Sequence, residues 1–171
     1  MNQKTLVLVK PDGVERGLVG EIVSRFEKAG LKIVHLEGPV KVDPQLAADH
    51  YQLNNYDYVL TLGHVDVTGK TDEEKEQIHQ KNSKIIQNLQ DFLTVGEVFK
   101  MVLEGEDAIL KVRGLVGKTD PAASPEGSIR GDFGDDSFAK ADEEGRSVRN
   151  IIHASGAPDE AEREIKLWFG E

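Results

Sequence analysis

The segment TLVLVKPDG (residues 5–13) decides how the chain is read. Thr5 to Val9 are apolar or β-branched with no polar alternation, the pattern of a buried strand. Lys10-Pro11-Asp12-Gly13 breaks the run, because proline fixes its own φ and glycine permits a turn. An interior strand ending on a charged turn needs elements to cover it, and the next residues offer them. Leu18, Val19, Ile22, Val23 and Phe26 share one face of a helix expected from about Gly17 to Ala29. Gly30 suits the position just past its end.

Further along, LKIVHLEGPVKV (31–42) reads as a longer strand with a bend or edge at Gly38-Pro39. Asp43 and Pro44 read as the N-cap and first residue of a short helix carrying His50 and Tyr51. Residues 54–70 show no clear period and read as loop, with a possible strand at Tyr58–Leu62. Thr71 or Asp72 can cap a helix that continues through Ile78, Ile85, Ile86 and Leu89 to Phe92 or Leu93, with a break expected near Asn82-Ser83. A strand follows over 97–105, then a helix with Ala108, Ile109, Val112, Leu115 and Val116, closed by Gly117. Residues 117–147 are rich in Gly, Pro, Ser, Asp and Ala and read as a long loop, of a length that is usually either functional or disordered. RNIIHAS (149–155) is a short strand that delivers His153 onto a small polar turn, and Pro158 opens a last helix. The class is α+β or α/β. The count fits α+β, a ferredoxin-like βαββαβ antiparallel sheet with helices on its faces. One domain spanning 1–171 is expected, with no internal repeat and no linker.

The 171 residues carry 21 Lys and Arg against 31 Asp and Glu, a net charge of −10. Such a balance argues against nucleic acid or an anionic membrane as the main partner, while leaving room for a small basic pocket. With no cysteine, disulfides and thiolate chemistry are excluded. His35, His50, His64, His79 and His153 do not cluster in sequence at metal-ligand spacing, so no structural zinc site is expected. The apolar run at the N-terminus is too short for a signal peptide and no segment reaches the length of a membrane span. A soluble cytoplasmic protein is the expectation.

KPDGVERGLVGEI (10–22), GKTDPAASPEGSIRGDF (117–133), and RNIIHAS with EREIKLWF (162–169) together resemble the nucleoside diphosphate kinase family. The resemblance implies transfer of the terminal phosphate of a nucleoside triphosphate to a nucleoside diphosphate. It implies a ping-pong route through a phosphohistidine, with Mg²⁺ bound to the nucleotide phosphates and no protein side chain as metal ligand. By resemblance His153 is the nucleophile, and Glu164 fixes its other ring nitrogen. Arg113 and Arg130 match the phosphate-binding arginines, and Thr119 matches a hydroxyl donor to the same phosphates. Lys10 and Asn150 match contacts to ribose hydroxyl and phosphate. Tyr51 matches a tyrosine near the histidine, and Ser155 a hydroxyl on the glutamate side. The implied partners are nucleoside tri- and diphosphates and further copies of the chain, as a dimer, tetramer or hexamer.

Each residue also has an ordinary reading: His153 as a core histidine, Lys10 as a solvated charge, Arg113 as a partner of Glu106 or Asp107, Thr119 as the start of a turn. Their joint spacing outweighs these readings. His35, His50, His64 and His79 keep the ordinary reading. Against the compact family members, residues 54–90 and 134–147 read as insertions, as in the longer archaeal-type form. Tyr56, Tyr58 or Leu60 is then expected to wall the nucleobase, unless the 72–93 helix is an oligomer contact. The alternative function is a catalytically silent, nucleotide-binding regulatory homologue.

Overall fold

A computed structural model describes residues 2–63 and 65–170; His64 lies outside the described residues. The segment that opened the sequence reading becomes β1 (Asn2–Val9), an interior strand of a four-stranded sheet. The other strands are β2 (Lys32–Lys41), β3 (Glu97–Glu106) and β4 (Ile152–Ala154), in the order β2-β3-β1-β4, with every pairing antiparallel. The continuous apolar run has a direct cause: both faces of β1 are covered. Val7 and Val9 join one core with Ile22, Phe26, Val112 and Val116. Leu6 and Leu8 join a second core with Ala47, Ile86, Leu93, Ile165 and Trp168. All four strand residues are fully buried, each side chain contributing roughly 1.5–3 kcal/mol of burial.

The first core is closed by α2 (Val19–Lys28) and α6 (Ala108–Val116), and α1 (Pro11–Glu15) precedes them. The second is closed by α3 (Pro44–Tyr51), α4 (Tyr56–Leu60), α5 (Asp72–Thr94) and α9 (Pro158–Phe169). This is the ferredoxin-like arrangement expected from the element count. Local signals explain the boundaries. The Asp43 side chain accepts from Gln45 N ahead of Pro44. Thr71 and Glu74 cap each other reciprocally at the start of α5.

Three expectations are corrected. Lys10-Pro11-Asp12-Gly13 is not a simple turn; Pro11 begins the one-turn helix α1, with Lys10 at its N-cap. Residues 56–60 are helical and not a strand, because the Asn55 side chain caps Tyr58 N. Nor does α5 break at Asn82-Ser83: the buried Asn82 amide donates to Val59 O at 2.9 Å and pins α5 to the end of α4. The supposed long loop also holds structure. A 3-10 turn at Pro121–Ala123, α7 (Ile129–Phe133) and α8 (Phe138–Glu143) are each started by a capping side chain, from Asp120, Ser128 and Ser137. Among the described residues no helix is long and apolar enough to cross a membrane.

Candidate active site

β4 sets the direction of the histidine. His153 lies opposite Leu8 in the β1–β4 register, between Ile152 and Ala154. Those two neighbours bury themselves in the first core. Strand alternation therefore turns His153 to the other face, toward α3 and α9. There its Nε2 lies 3.0 Å from both carboxylate oxygens of Glu164, on α9. The buried Ser155 hydroxyl donates to Glu164 Oε2 at 2.6 Å, and Leu6 N donates to that hydroxyl. Burial alone would raise the Glu164 carboxyl, but the charge and hydrogen bond of His153, helped by His50 and Ser155, bring it down to about 2. An ionised carboxylate facing Nε2 favours the tautomer with its proton there, which leaves the lone pair on Nδ1.

His50 belongs to the same cluster, although the sequence gave it an ordinary reading. Its ring meets His153 edge-on at 4.6 Å and Tyr51 at 4.7 Å between centroids. Trp168 Nε1 donates to its Nδ1 at 3.2 Å. Burial, followed by the nearby His153, pushes His50 down to about 3, so it stays neutral. Donor atoms of His50, His153 and Glu164 lie within 4.8 Å of one another, a convergence that sequence spacing hides. Two imidazoles and one carboxylate do not suit Mg²⁺, a hard cation that prefers oxygen ligands and substrate phosphates.

In front of the histidine is a cleft of about 870 Å³, lined in its polar part by Lys10, Tyr51, Arg113, Thr119, Arg130 and Asn150. The structure thus brings these expected residues together with His153, while Glu164 and Ser155 stand behind the ring. Lys10 Nζ donates to Asn150 Oδ1 at 2.6 Å, and Asn150 Nδ2 donates to Thr119 O at 2.8 Å. This chain ties the end of β1 to the residue three before the histidine. Burial, then the charge of Arg130, lowers Lys10 to about 7 despite Asp12. Arg130 is lowered to about 10, first by burial and then by Arg113. Its guanidinium is committed mostly to backbone: it donates to the carbonyls of Asn150, Ile152, Gly117 and Lys118. Arg113, on α6, is exposed and lines the same cleft.

The rest of the lining mixes apolar side chains with charged ones such as Lys81, Lys84 and Arg146. Leu62, Ile85 and Leu89 contribute from the 54–90 segment, and Phe138, Ala141 and Val148 from the segment before the histidine. None of the three expected wall residues is among the lining. Tyr56 stacks on His79 at 4.4 Å, Tyr58 packs against the second core, and Leu60 is buried. The helical turn of α4 takes their side chains away from the cleft. Asn88 Nδ2 donates to Gly145 O at 3.4 Å, a long contact joining the two segments.

A cationic pocket beside a histidine with one nitrogen held by a carboxylate suits an anionic, phosphate-bearing ligand. Comparison with known proteins agrees. The family model for nucleoside diphosphate kinase matches residues 3–61 and 59–171. The nucleoside diphosphate kinase of Pyrobaculum aerophilum is 44% identical over 182 residues, covering 99% of this chain and 96% of its own. The crystal structure of an NDP kinase from that organism superposes with a TM-score of 0.85 at 42% identity, over 99% of this chain and 96% of the other. A transition-state mimic of the Borrelia burgdorferi nucleoside-diphosphate kinase with bound vanadate and ADP gives 0.80 at 40% identity, over 98% and 87%. The fold and its relatives define the protein as a nucleotide phosphotransferase. More specifically, the chain belongs to the nucleoside diphosphate kinase family.

Proposed function

We propose that the protein transfers the terminal phosphate of a nucleoside triphosphate to a nucleoside diphosphate by a ping-pong route through phospho-His153. The observation that carries this reading is the paired contact of Nε2 with both Glu164 oxygens at 3.0 Å. It leaves Nδ1 as the nucleophile on a ring that lines the cationic cleft. In the first half-reaction the Nδ1 lone pair attacks the terminal phosphorus. The P–O bond to the diphosphate breaks, and its electrons leave on the diphosphate oxygen. Glu164 balances the charge that builds on the imidazole through the Nε2 proton. In the second half-reaction a terminal oxygen of another diphosphate attacks the same phosphorus, and the P–N electrons return to Nδ1. No water is consumed and no net proton is released.

Lys10, Arg113, Thr119, Arg130 and Asn150 are assigned to holding the phosphates and ribose. Phosphoryl transfer needs positioning and charge stabilisation more than covalent help from the protein. Arg130 has most of its donors on carbonyls, so its share is a fixed field and one remaining edge. Arg113, not tied to the backbone in this way, is the more mobile clamp. Tyr51 packs edge-on against His50 and acts by holding that cluster. Mg²⁺ carried on the phosphates would neutralise their charge and polarise the breaking bond. The vanadate and ADP bound by the Borrelia relative support a transferring phosphate flanked by a nucleotide.

The nucleobase is assigned to the apolar part of the cleft lining, to which Ile85, Leu89 and Phe138 contribute. Apolar walls do not read the edge of a base, so purine and pyrimidine diphosphates are both accepted. A single domain that self-associates completes the reading, and native mass measurement checks the assembly. The mechanism is tested by initial velocities with both substrates varied. Parallel double-reciprocal lines support it, and lines that intersect to the left of the axis contradict it.

A further inference from the structure

The turn that delivers His153 is strained at Ile151. Its φ is +71°, a region that β-branched residues rarely occupy. Ile152 N donates to Asn150 O at 2.7 Å across it. Residues 150–152 therefore form the strained version of the γ-turn, closed by an i to i+2 hydrogen bond. The Ile151 side chain is fully buried in the first core, so the turn cannot relax by swinging that residue outward. Backbone strain of this kind persists only where the surroundings over-determine it.

Those surroundings can be named. Ile151 O accepts from Lys10 N at 2.7 Å. Arg130 donates to the carbonyls on both sides, Asn150 and Ile152. The remaining group, Ile151 N, donates to Asp12 Oδ2 at 2.9 Å. Asp12 has no part in the phosphate or ribose contacts assigned above. Its second oxygen, Oδ1, is buried with no hydrogen-bond partner among the described residues. A carboxylate oxygen left unpaired in the interior is costly. Gly13 shows how closely α1 is held to the turn, since a Cβ there would lie 2.9 Å from Ile151 O.

We propose that Asp12 is a positioning residue for the nucleophile: its carboxylate anchors the strained Ile151 amide and so fixes the direction in which β4 presents His153. The inference rests on His153 being the phosphorylated residue. Asp12 is not among the residues that line the cleft and acts through the turn.

The test is rapid-quench phosphorylation by γ-labelled ATP, with ADP affinity measured by calorimetry on the same samples. Asp12→Ala should slow labelling by about 10²-fold, the scale of a misplacement near 1 Å. Its ADP affinity should stay within about threefold. Asp12→Asn keeps an acceptor oxygen and should recover most of the rate. In an Ile151→Gly background the positive φ costs little, so removing Asp12 should slow labelling by less than about threefold. Wild-type labelling in Asp12→Ala, a lowered Tm with a normal rate per folded molecule, or equal losses in both backgrounds would each overturn the proposal. Equal losses in Asp12→Asn and Asp12→Ala would overturn it too, since the charge beside Lys10 and Arg130 would then be the cause. If the glycine variants do not fold, the Asn and Ala comparison decides alone. A wild type that takes no label counts against the phosphohistidine reading itself and not against the anchor.

Discussion

His153 has one nitrogen occupied by Glu164 and one left for chemistry, so the two residues should fail differently. His153→Ala should abolish transfer while ADP still binds, as calorimetry can check. Glu164→Gln keeps a group that can meet Nε2 but loses the charge, and it should cost less in kcat than loss of the histidine. An equal loss would mean the carboxylate does more than orient. The two arginines also separate. Arg130 feeds four backbone carbonyls from the interior, whereas Arg113 is exposed. Arg130→Ala should therefore lower both kcat/KM and folding stability, the latter by roughly 3 kcal/mol or more because buried carbonyls lose their donor. Arg113→Ala should lower kcat/KM by about 10²-fold with stability changed by less than about 1 kcal/mol, both read from kinetics and urea unfolding. Lys10 gives the pH dependence. Its folded value of about 7 lies below the ordinary 10.5. Below 7 the lysine is charged in both states and the burial cost is fully present. Between 7 and 10.5 only the unfolded chain keeps the proton, so stability rises with pH across that window. An anionic nucleotide favours the ammonium, so ADP binding above pH 7 should take up a proton and weaken as pH rises. Calorimetry in buffers of different ionisation enthalpy measures that uptake, and its persistence in Lys10→Arg would refute the assignment to Lys10.

The cleft lining joins α5 to α8, two elements of very different legibility. In α5 the start at Thr71 or Asp72 and the apolar spacing to Phe92 or Leu93 were readable, because helix ends and faces are encoded locally, whereas its continuity through Asn82-Ser83 was not. In α8 only six residues form the helix, and Phe138 points from a stretch whose composition reads as loop. The α4 turn was misread because Tyr and Val favour strands in isolation, while the Asn55 cap starts a helical turn and Asn82, 23 residues away from Val59, holds its end. The same reasoning covers the site. Lys10, Tyr51, Arg113, Thr119, Arg130, Asn150, His153, Ser155 and Glu164 were named from matched motifs, and the structure gathers them at the cleft or behind the ring. His50 and Asp12 were not, since their meaning lies in contacts 118 and 139 residues away, to Trp168 and Ile151. No local pattern marks a histidine as packed on another histidine. The wall assignment carries its own test. Phe138→Ala should raise KM for every diphosphate while labelling by saturating ATP stays nearly intact, and Tyr56→Ala should behave like wild type. The reverse result would return the base to α4.

A chain of net charge −10 concentrates Lys10, Arg113 and Arg130 in one cleft, with Lys81, Lys84 and Arg146 along its lining. The negative net charge disfavours polyanions at large, and low-dielectric walls focus the positive potential of the cleft, where the proposed nucleotide phosphates would bind. The fold makes this possible by stacking helices on both sides of β1. One core supports the turn before the histidine, and the other supports Glu164 and His50 behind it. The proposed chemistry then converges on a single covalent event at His153. The most direct measurement is to label the protein with γ-labelled ATP, remove free nucleotide, map the label by peptide mass, and chase with ADP and CDP separately. The expected result is a label on His153 that survives alkali, leaves in acid, and passes to either diphosphate as triphosphate. Label on another residue, equal label in His153→Ala, or release to water alone would contradict the account.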